Sequence, residues 1–365
     1  MKDLRLLLIT DAVGGVWIYS LELGRALKAL GIETVLAVTG PSPDAQQRES
    51  AAGIKLIDTR LPLDWLDTDA RSIARAGEEL ARIAKAEGAD IVQTSSAALI
   101  ADAEFDCACV AVQHSCVATW WAAVKRTPLP DDFAWRAELV ERGLGNADAV
   151  VAPSRAFAAA TARAYALEQP VHAVHNGRTE AHARSLPQGD FAITAGRLWD
   201  EGKNVAVLDR AAAVIDAPFQ AAGSAQGPNG ARIDLHNLVA LGQLGETRLA
   251  GLLAARPVFA SAALYEPFGL SVLEAAQAGC ALVLSDIDTH RELWDDAATF
   301  VDPRDEQGFA DAIDGLLRNR AERDALGNRA RARARRYRPE AAARAMTDIY
   351  ASVLATQPQL VAGAA

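Results

Sequence analysis

The chain has 365 residues, half of them apolar and 23% charged, with a formal net charge of −10. That length supports two domains with substantial cores, and the acidic balance speaks against a nucleic-acid binder, which would meet phosphates with a basic surface. No window is apolar over the length a transmembrane helix needs. Cys107, Cys109, Cys116 and Cys280 have no metal-ligand spacing, and we expect buried thiols of a reducing compartment, with the cytoplasm as the default.

In chain order, Leu4–Thr10 is expected to be a strand, too short to span a membrane and without the cleavage pattern of a signal peptide. A turn at Asp11–Gly15 leads into a helix over Val16–Leu30, where Val16, Leu23, Leu27 and Leu30 recur at helical spacing. Glu33–Thr39 and Ile54–Asp58 are further strands. Asp69–Glu87 is an amphipathic helix with a wet face of Arg71, Arg75, Glu78, Glu79, Arg82 and Lys85. Ile91–Thr94 and Ala108–Gln113 continue as strands, and alternation places Cys107 and Cys109 on one side. Apolar strands alternating with helices call for a parallel sheet covered on both faces. Val117–Asp132, with Trp120, Trp121, Pro128 and Pro130, breaks the rhythm and reads as a loop or short helices. A helix over Phe133–Gly143, the strand Ala149–Ala152, a helix led by Ser154 and the extended Val171–Asn176 follow.

Gly177–Asp190 is polar and rich in breakers, so the hinge is placed there, dividing the chain into domains 1–176 and 177–339. A second strand–helix series then runs through strand Ala192–Ala195, loop Gly196–Gly202 and a helix from Asn204. Ala217–Gly230 is flexible by composition. Val239–Leu241, Pro257–Ala260, Leu282–Ser285 and Thr299–Val301 read as strands; Glu246–Ala254, Gly269–Ala278, Ala310–Asn319 and the strongly basic Ala321–Tyr337 read as helices. A last helix spans 340–355, with a loose tail beyond it.

Chemistry concentrates where strands lead into helices, since ligands of such sheets sit beyond the carboxyl ends of the strands. Gly14 and Gly15 allow a tight turn whose free N–H groups attract a phosphate or hydroxyl, although the GxGxxG fingerprint is absent. Arg197 and Lys203 place two cations beside a helix start, a setting for a diphosphate. Glu266-Pro-Phe-Gly-Leu-Ser-Val-Leu-Glu274 is the most informative segment. An acid in the loop accepts from sugar hydroxyls, one on the helix holds a ribose, and the backbone N–H groups of Phe268, Gly269, Leu270 and Ser271 cradle phosphate. His114, directly after a strand, faces the crevice and can donate to an alcohol or a developing charge, while a structural role stays open. His175 and Asn176 lie at the hinge, and His290 stands where it can line the second pocket. Asp67-Thr68-Asp69 is read as a helix start. The arginines from Arg329 to Arg338 are read as a solvated or salt-bridged face, with contact to anionic lipid left open.

Taken together, the Gly14-Gly15 turn, His114, the Ser154 loop, His175-Asn176-Gly177, Gly196-Arg197 with Lys203, and the Glu266/Glu274 pair resemble the retaining glycosyltransferases of family 4. That resemblance covers most of the chain. It implies the α/β GT-B fold, two Rossmann-like doubly wound domains facing across a deep cleft, the first for the acceptor and the second for the donor. The last helix, 340–355, would pack back onto the first domain. Arg197 and Lys203 would bind the donor diphosphate and neutralise it as it leaves, Glu274 would bind the ribose, and Glu266 would position the sugar. Gly15 would supply backbone contact, and His114 would touch donor sugar or acceptor. The donor implied is a nucleotide-diphosphate sugar, UDP- or GDP-linked, with no cofactor or metal required. The acceptor would be a hydroxyl of a saccharide, a lipid-linked sugar or a small molecule, in the cytoplasm or at the inner face of the membrane. A catalytically silent nucleotide-sugar-binding subunit and a nucleotide-sugar epimerase of the same fold are the alternatives.

Overall fold

The computed structural model describes residues 4–181 and 186–356. Part of the expected hinge, 182–185, and the expected loose tail beyond 356 lie outside them. The chain forms two compact units, one made of the residues up to Gly177 with the helix that begins at Pro339, the other of Arg178–Arg338.

The first unit carries strands β1 (Leu4–Asp11), β2 (Ile32–Thr39), β3 (Lys55–Asp58), β4 (Ile91–Thr94), β5 (Ala108–Val112), β6 (Ala149–Ala152) and β7 (Val171–Ala173). Between them run α1 (Gly15–Lys28), α2 (Ala45–Ser50), α3 (Ala70–Glu87), α4 (Val117–Val124), α5 (Asp131–Asn146) and α6 (Arg155–Ala164). The strands pair in parallel in the order β3-β2-β1-β4-β5-β6-β7. β1 is buried along nearly all its length because both faces of the sheet are covered, which is why its apolar residues run on instead of alternating. Leu7, Ile9 and Val92 join one core layer, and Leu6, Leu8 and Ile91 the other.

Local sequence sets the helix ends. Asp69 caps α3 by accepting from the Arg71 N–H, as the helix-start reading of Asp67-Thr68-Asp69 has it, and Gly88 closes the helix in the left-handed region. Ile73, Ala76, Gly77, Leu80 and Ala84 form its buried stripe. The rhythm-breaking stretch after β5 contains the short helix α4, capped at Cys116.

The second unit contains β8 (Ala192–Ala195), β9 (Phe219–Ala222), β10 (Val239–Gly242), β11 (Val258–Ser261), β12 (Ala281–Ser285) and β13 (Thr299–Val301). Its helices are α7 (Val205–Ala212), α8 (Glu246–Leu253), α9 (Leu270–Ala278), α10 (Asp288–Trp294), α11 (Glu306–Arg318) and α12 (Arg320–Ala334). The strand order is β10-β9-β8-β11-β12-β13, all parallel. Ala217–Gly230 is flexible by composition, yet Phe219–Ala222 is an internal strand between β8 and β10. Phe219 and Ala221 are buried in the core, and that burial outweighs the glycine-rich neighbourhood.

Asp209 on α7 shows how the following segment is held without a helix. Its buried carboxylate accepts from the N–H groups of His236, Asn237 and Leu238, each at 3.0 Å, just before β10. Burial pushes this carboxyl up, but the three N–H donors outweigh it and hold it below its ordinary value. Asp209→Ala is expected to cost the second unit about 3 kcal/mol, since it strands three donors at once. Denaturant unfolding and amide exchange at 236–238 measure it. A depressed carboxyl stabilises the fold above the unfolded-state value of 3.8 and loses that contribution as pH falls, so wild type and variant should converge in acid.

Finally, α13 (Pro339–Thr356) returns to the first unit. It lies on α1 and buries Ala343, Met346, Tyr350 and Val353 in the layer that holds Leu6 and Leu8. Met346 and Tyr350, both fully buried, contribute roughly 2 kcal/mol each.

Candidate active site

In the second unit the chain runs outward from β8 through β9 to β10, then returns to β11 on the other side of β8. The reversal point therefore lies between β8 and β11, the place where open α/β sheets hold ligands. The loop after β8 carries Arg197 and Lys203, and the loop after β11 carries Glu266. The two loops are stitched together, because Leu264 and Tyr265 donate their N–H groups to the Gly202 carbonyl at 2.9 and 3.1 Å. Asn204, in the left-handed region at φ 52°, donates its side-chain amide to Ala262 and Pro303 carbonyls. Asp200 caps the short turn of Glu201–Lys203 by accepting from Gly202 and pairs with Arg197 at 2.9 Å.

The expected site residues of the second unit lie around this reversal point. Lys203 is bonded to Glu266, whose residue is only 9% exposed. Gly269 sits at φ 85°, and a Cβ there would press on the Glu266 side chain at 3.2 Å, so glycine is needed to let Glu266 lie across the helix start. Leu270 and Ser271 open α9, whose first N–H groups have no acceptor inside the helix. Phe268 is different: its side chain is buried against Tyr337, so only its backbone is available to a ligand. Glu274 lies one turn into α9 and accepts from Arg178 at 2.8 Å, while Arg178 also bridges to Glu246 at 3.1 Å.

Two contributors escape motif reading: Arg178 sits in a stretch of hinge composition, and Asn204 is legible only through its backbone conformation. His290, expected to line the second pocket, has its bonding set by the fold. The His290 ring is fully buried, with Nδ1 3.0 Å from the Ser285 carbonyl. A carbonyl only accepts, so Nδ1 carries the proton and Nε2 is left as an acceptor with no partner among the described residues. Burial holds this imidazole below its ordinary value and Lys203 adds to the fall, while Glu266 and the Ser285 carbonyl oppose it.

In the first unit the corresponding reversal point falls between β1 and β4. Gly14 and Gly15 stand at the carboxyl end of β1 and begin α1, beside Asp11, which accepts from the Val13 N–H at 2.8 Å. His114 follows β5, one strand further along. Burial pushes its imidazole down to about 4, so it is neutral at pH 7, and its Nε2 has no partner among the described residues. His175 and Asn176 lie at the end of this unit, after β7.

Three arginines of the basic run are bonded within the second unit itself, while Arg335, Arg336 and Arg338 are exposed. Arg329 and Arg333 donate to carbonyls of Asp296 and Asp295, and Arg331 pairs with Glu180. Among the described residues no helix is long and apolar enough to cross a membrane. Among those residues, too, no group of three or more His, Cys, Asp or Glu side chains is arranged to hold a metal ion.

The profile described as Glycosyltransferase Family 4 matches residues 13–180, and the one described as Glycosyl transferases group 1 matches 231–333. The chain belongs to the family 4-like glycosyltransferases. Among solved structures, sucrose-phosphate synthase of Thermosynechococcus elongatus superposes with a TM-score of 0.78 at 19% identity, covering 97% of this transferase and 100% of that chain. HepE of Anabaena, in complex with UDP-glucose, gives 0.74 at 15% identity over 95% and 99%. A glycosyltransferase of Rickettsia africae gives 0.70 at 15% over 97% and 99%. At these identities the likeness establishes the GT-B fold of the transferase. No curated protein matches it in sequence.

Proposed function

We propose that the transferase moves a hexosyl group from a nucleotide-diphosphate sugar, UDP- or GDP-linked, to a hydroxyl acceptor, with retention at the anomeric carbon and without a metal. The observation that carries this is the pairing of Lys203 with Glu266 at the reversal point of the second sheet, between the loop that also carries Arg197 and the loop that leads into the helix start of α9. That HepE was solved with UDP-glucose supports the donor class.

Bond breaking puts negative charge on the departing nucleoside diphosphate. Arg197 and Lys203 neutralise it, helped by the N–H groups at the start of α9. Glu274 holds the ribose, exchanging part of its bond to Arg178 for the two hydroxyls. Glu266 releases Lys203 to the phosphates and turns its carboxylate to the sugar. Among residues near Lys203 none is a dedicated nucleophile in this scheme; the acceptor attacks from the side the diphosphate leaves, and a phosphate oxygen takes its proton. The acceptor hydroxyl is held at the carboxyl edge of the first sheet, with His114 and the Gly14-Gly15 turn. The four cysteines, none of them in a disulfide, suit a reducing compartment, and we place the reaction in the cytoplasm.

The test is a panel of UDP-, GDP- and ADP-sugars with candidate alcohols, reading released nucleotide and the anomer of the product. Transfer with retained configuration in the presence of a chelator is expected. Donor binding with no release or transfer across the panel means a silent binding subunit, and an inverted product sinks the retaining mechanism.

A further inference from the structure

A chain of buried polar groups in the first unit ends on His114. Tyr350 of α13, fully buried, donates its hydroxyl to Oε1 of Gln93 in the middle of β4. The Gln93 amide donates from Nε2 to the Tyr19 hydroxyl at 3.2 Å. Tyr19, on α1, sets its ring edge-on to the His114 imidazole, with centroids 4.3 Å apart and planes at 65°. Burial raises both phenols, so they stay protonated and hydrogen-bonding at neutral pH.

Packing alone does not ask for these groups. A leucine in place of Gln93 and phenylalanines in place of the tyrosines would fill the layer without burying an amide and two hydroxyls, which is costly unless each is paired. Here each finds its partner in the next, and the last link touches a histidine whose Nε2 is buried and unpartnered among the described residues.

We propose that Tyr350, Gln93 and Tyr19 are positioning residues for His114. The tether fixes the Tyr19 ring, the ring edge fixes the plane of the imidazole, and Nε2 is thereby aimed at a substrate hydroxyl. This rests on the reading of His114 as a residue that meets such a hydroxyl. It makes α13, which carries none of the sequence motifs, part of the machinery of transfer. The aim of a polar group matters at this level, since a misplacement of about 1 Å can cost up to about a hundredfold in rate.

The experiment compares Tyr19→Phe, Tyr350→Phe, Gln93→Leu and His114→Ala. Tyr19→Phe keeps the ring against His114 and removes only the tether. Each of the first three is expected to lower kcat about tenfold with the donor KM within about twofold, and the Tyr19→Phe/Tyr350→Phe pair should fall no further than one of them, since both cut the same chain. The imidazole nitrogen resonances of His114 should shift in every one, a signature that loss of stability alone does not produce. Should Gln93→Leu fail to fold, the two phenylalanine variants decide. Wild-type kcat and an unmoved His114 resonance in both, with His114→Ala slow, overturn the proposal. A kcat that falls only in step with the folded fraction overturns it too. A fully active His114→Ala instead removes the substrate role of His114, and the catalytic consequence of the chain with it.

Discussion

Replacing Lys203 with alanine is expected to lower kcat/KM for transfer by about two to three orders of magnitude. A unit charge about 4 Å from a phosphate oxygen, at an effective dielectric of about 20, is worth about 4 kcal/mol, enough for a factor of that size. The substitution also strips Glu266 of its cation in the ligand-free protein, and Glu266 is mostly buried. Two effects must therefore be separated. Lys203→Ala should melt earlier, because removing one member of a buried pair leaves the other uncompensated. Lys203→Met combined with Glu266→Gln should regain the melting temperature yet stay inactive. Thermal unfolding beside steady-state kinetics reads both, and a Lys203→Ala enzyme with wild-type kcat/KM removes Lys203 from the site. Arg197 should matter less, since its side chain is 40% exposed and already shares its charge with Asp200.

The second large effect is expected from Gly223→Ala. Gly223 directly follows β9 with φ at 143°, and a Cβ there would stand 1.8 Å from the Gly196 carbonyl oxygen. Gly196 is held to the same strand, donating its N–H to Ala222 at 3.0 Å, and the next residue is Arg197. A methyl group has nowhere to go except by pushing the Arg197 loop away. We expect a loss of about 3 kcal/mol in the second unit from strain and overpacking, together with at least about a tenfold fall in kcat/KM from the displaced cation. Gly230→Ala is the control: φ is 81° there, but nothing lies within 4 Å of the added carbon. It should cost only about 1 kcal/mol of backbone strain and leave the kinetics alone. Equal effects at the two positions would show that conformation, and not the approach to Gly196, is what glycine provides.

Much of the fold is legible in the sequence because a doubly covered parallel sheet leaves a strong mark. β1, β2, β5 and β12 are runs of buried apolar residues between turn signals, and such runs are hard to mistake. β9 hides for the opposite reason. It has four residues, two of them alanine, and a glycine-rich continuation, so composition speaks for a loop while the ladders to β8 and β10 make it a strand. α10 and α2 are short and carry little apolar pattern, and they too are settled by their surroundings. At the candidate site the motif residues could be named in advance, but their partners could not. Asn204 takes its role from the Ala262 and Pro303 carbonyls of other loops, Asp200 from the Gly202 N–H of its own turn and His290 from the Ser285 carbonyl, contacts that leave no regular spacing to read.

The return of α13 also sets an order of assembly. The core layer that starts with Leu6 and Leu8 stays open until Ala343, Met346, Tyr350 and Val353 arrive, and by then all of Arg178–Arg338 has been synthesised. The later-made unit is continuous in sequence and can close on its own residues as soon as it leaves the ribosome. The half of the protein that is translated first is thus the last whose core can be complete.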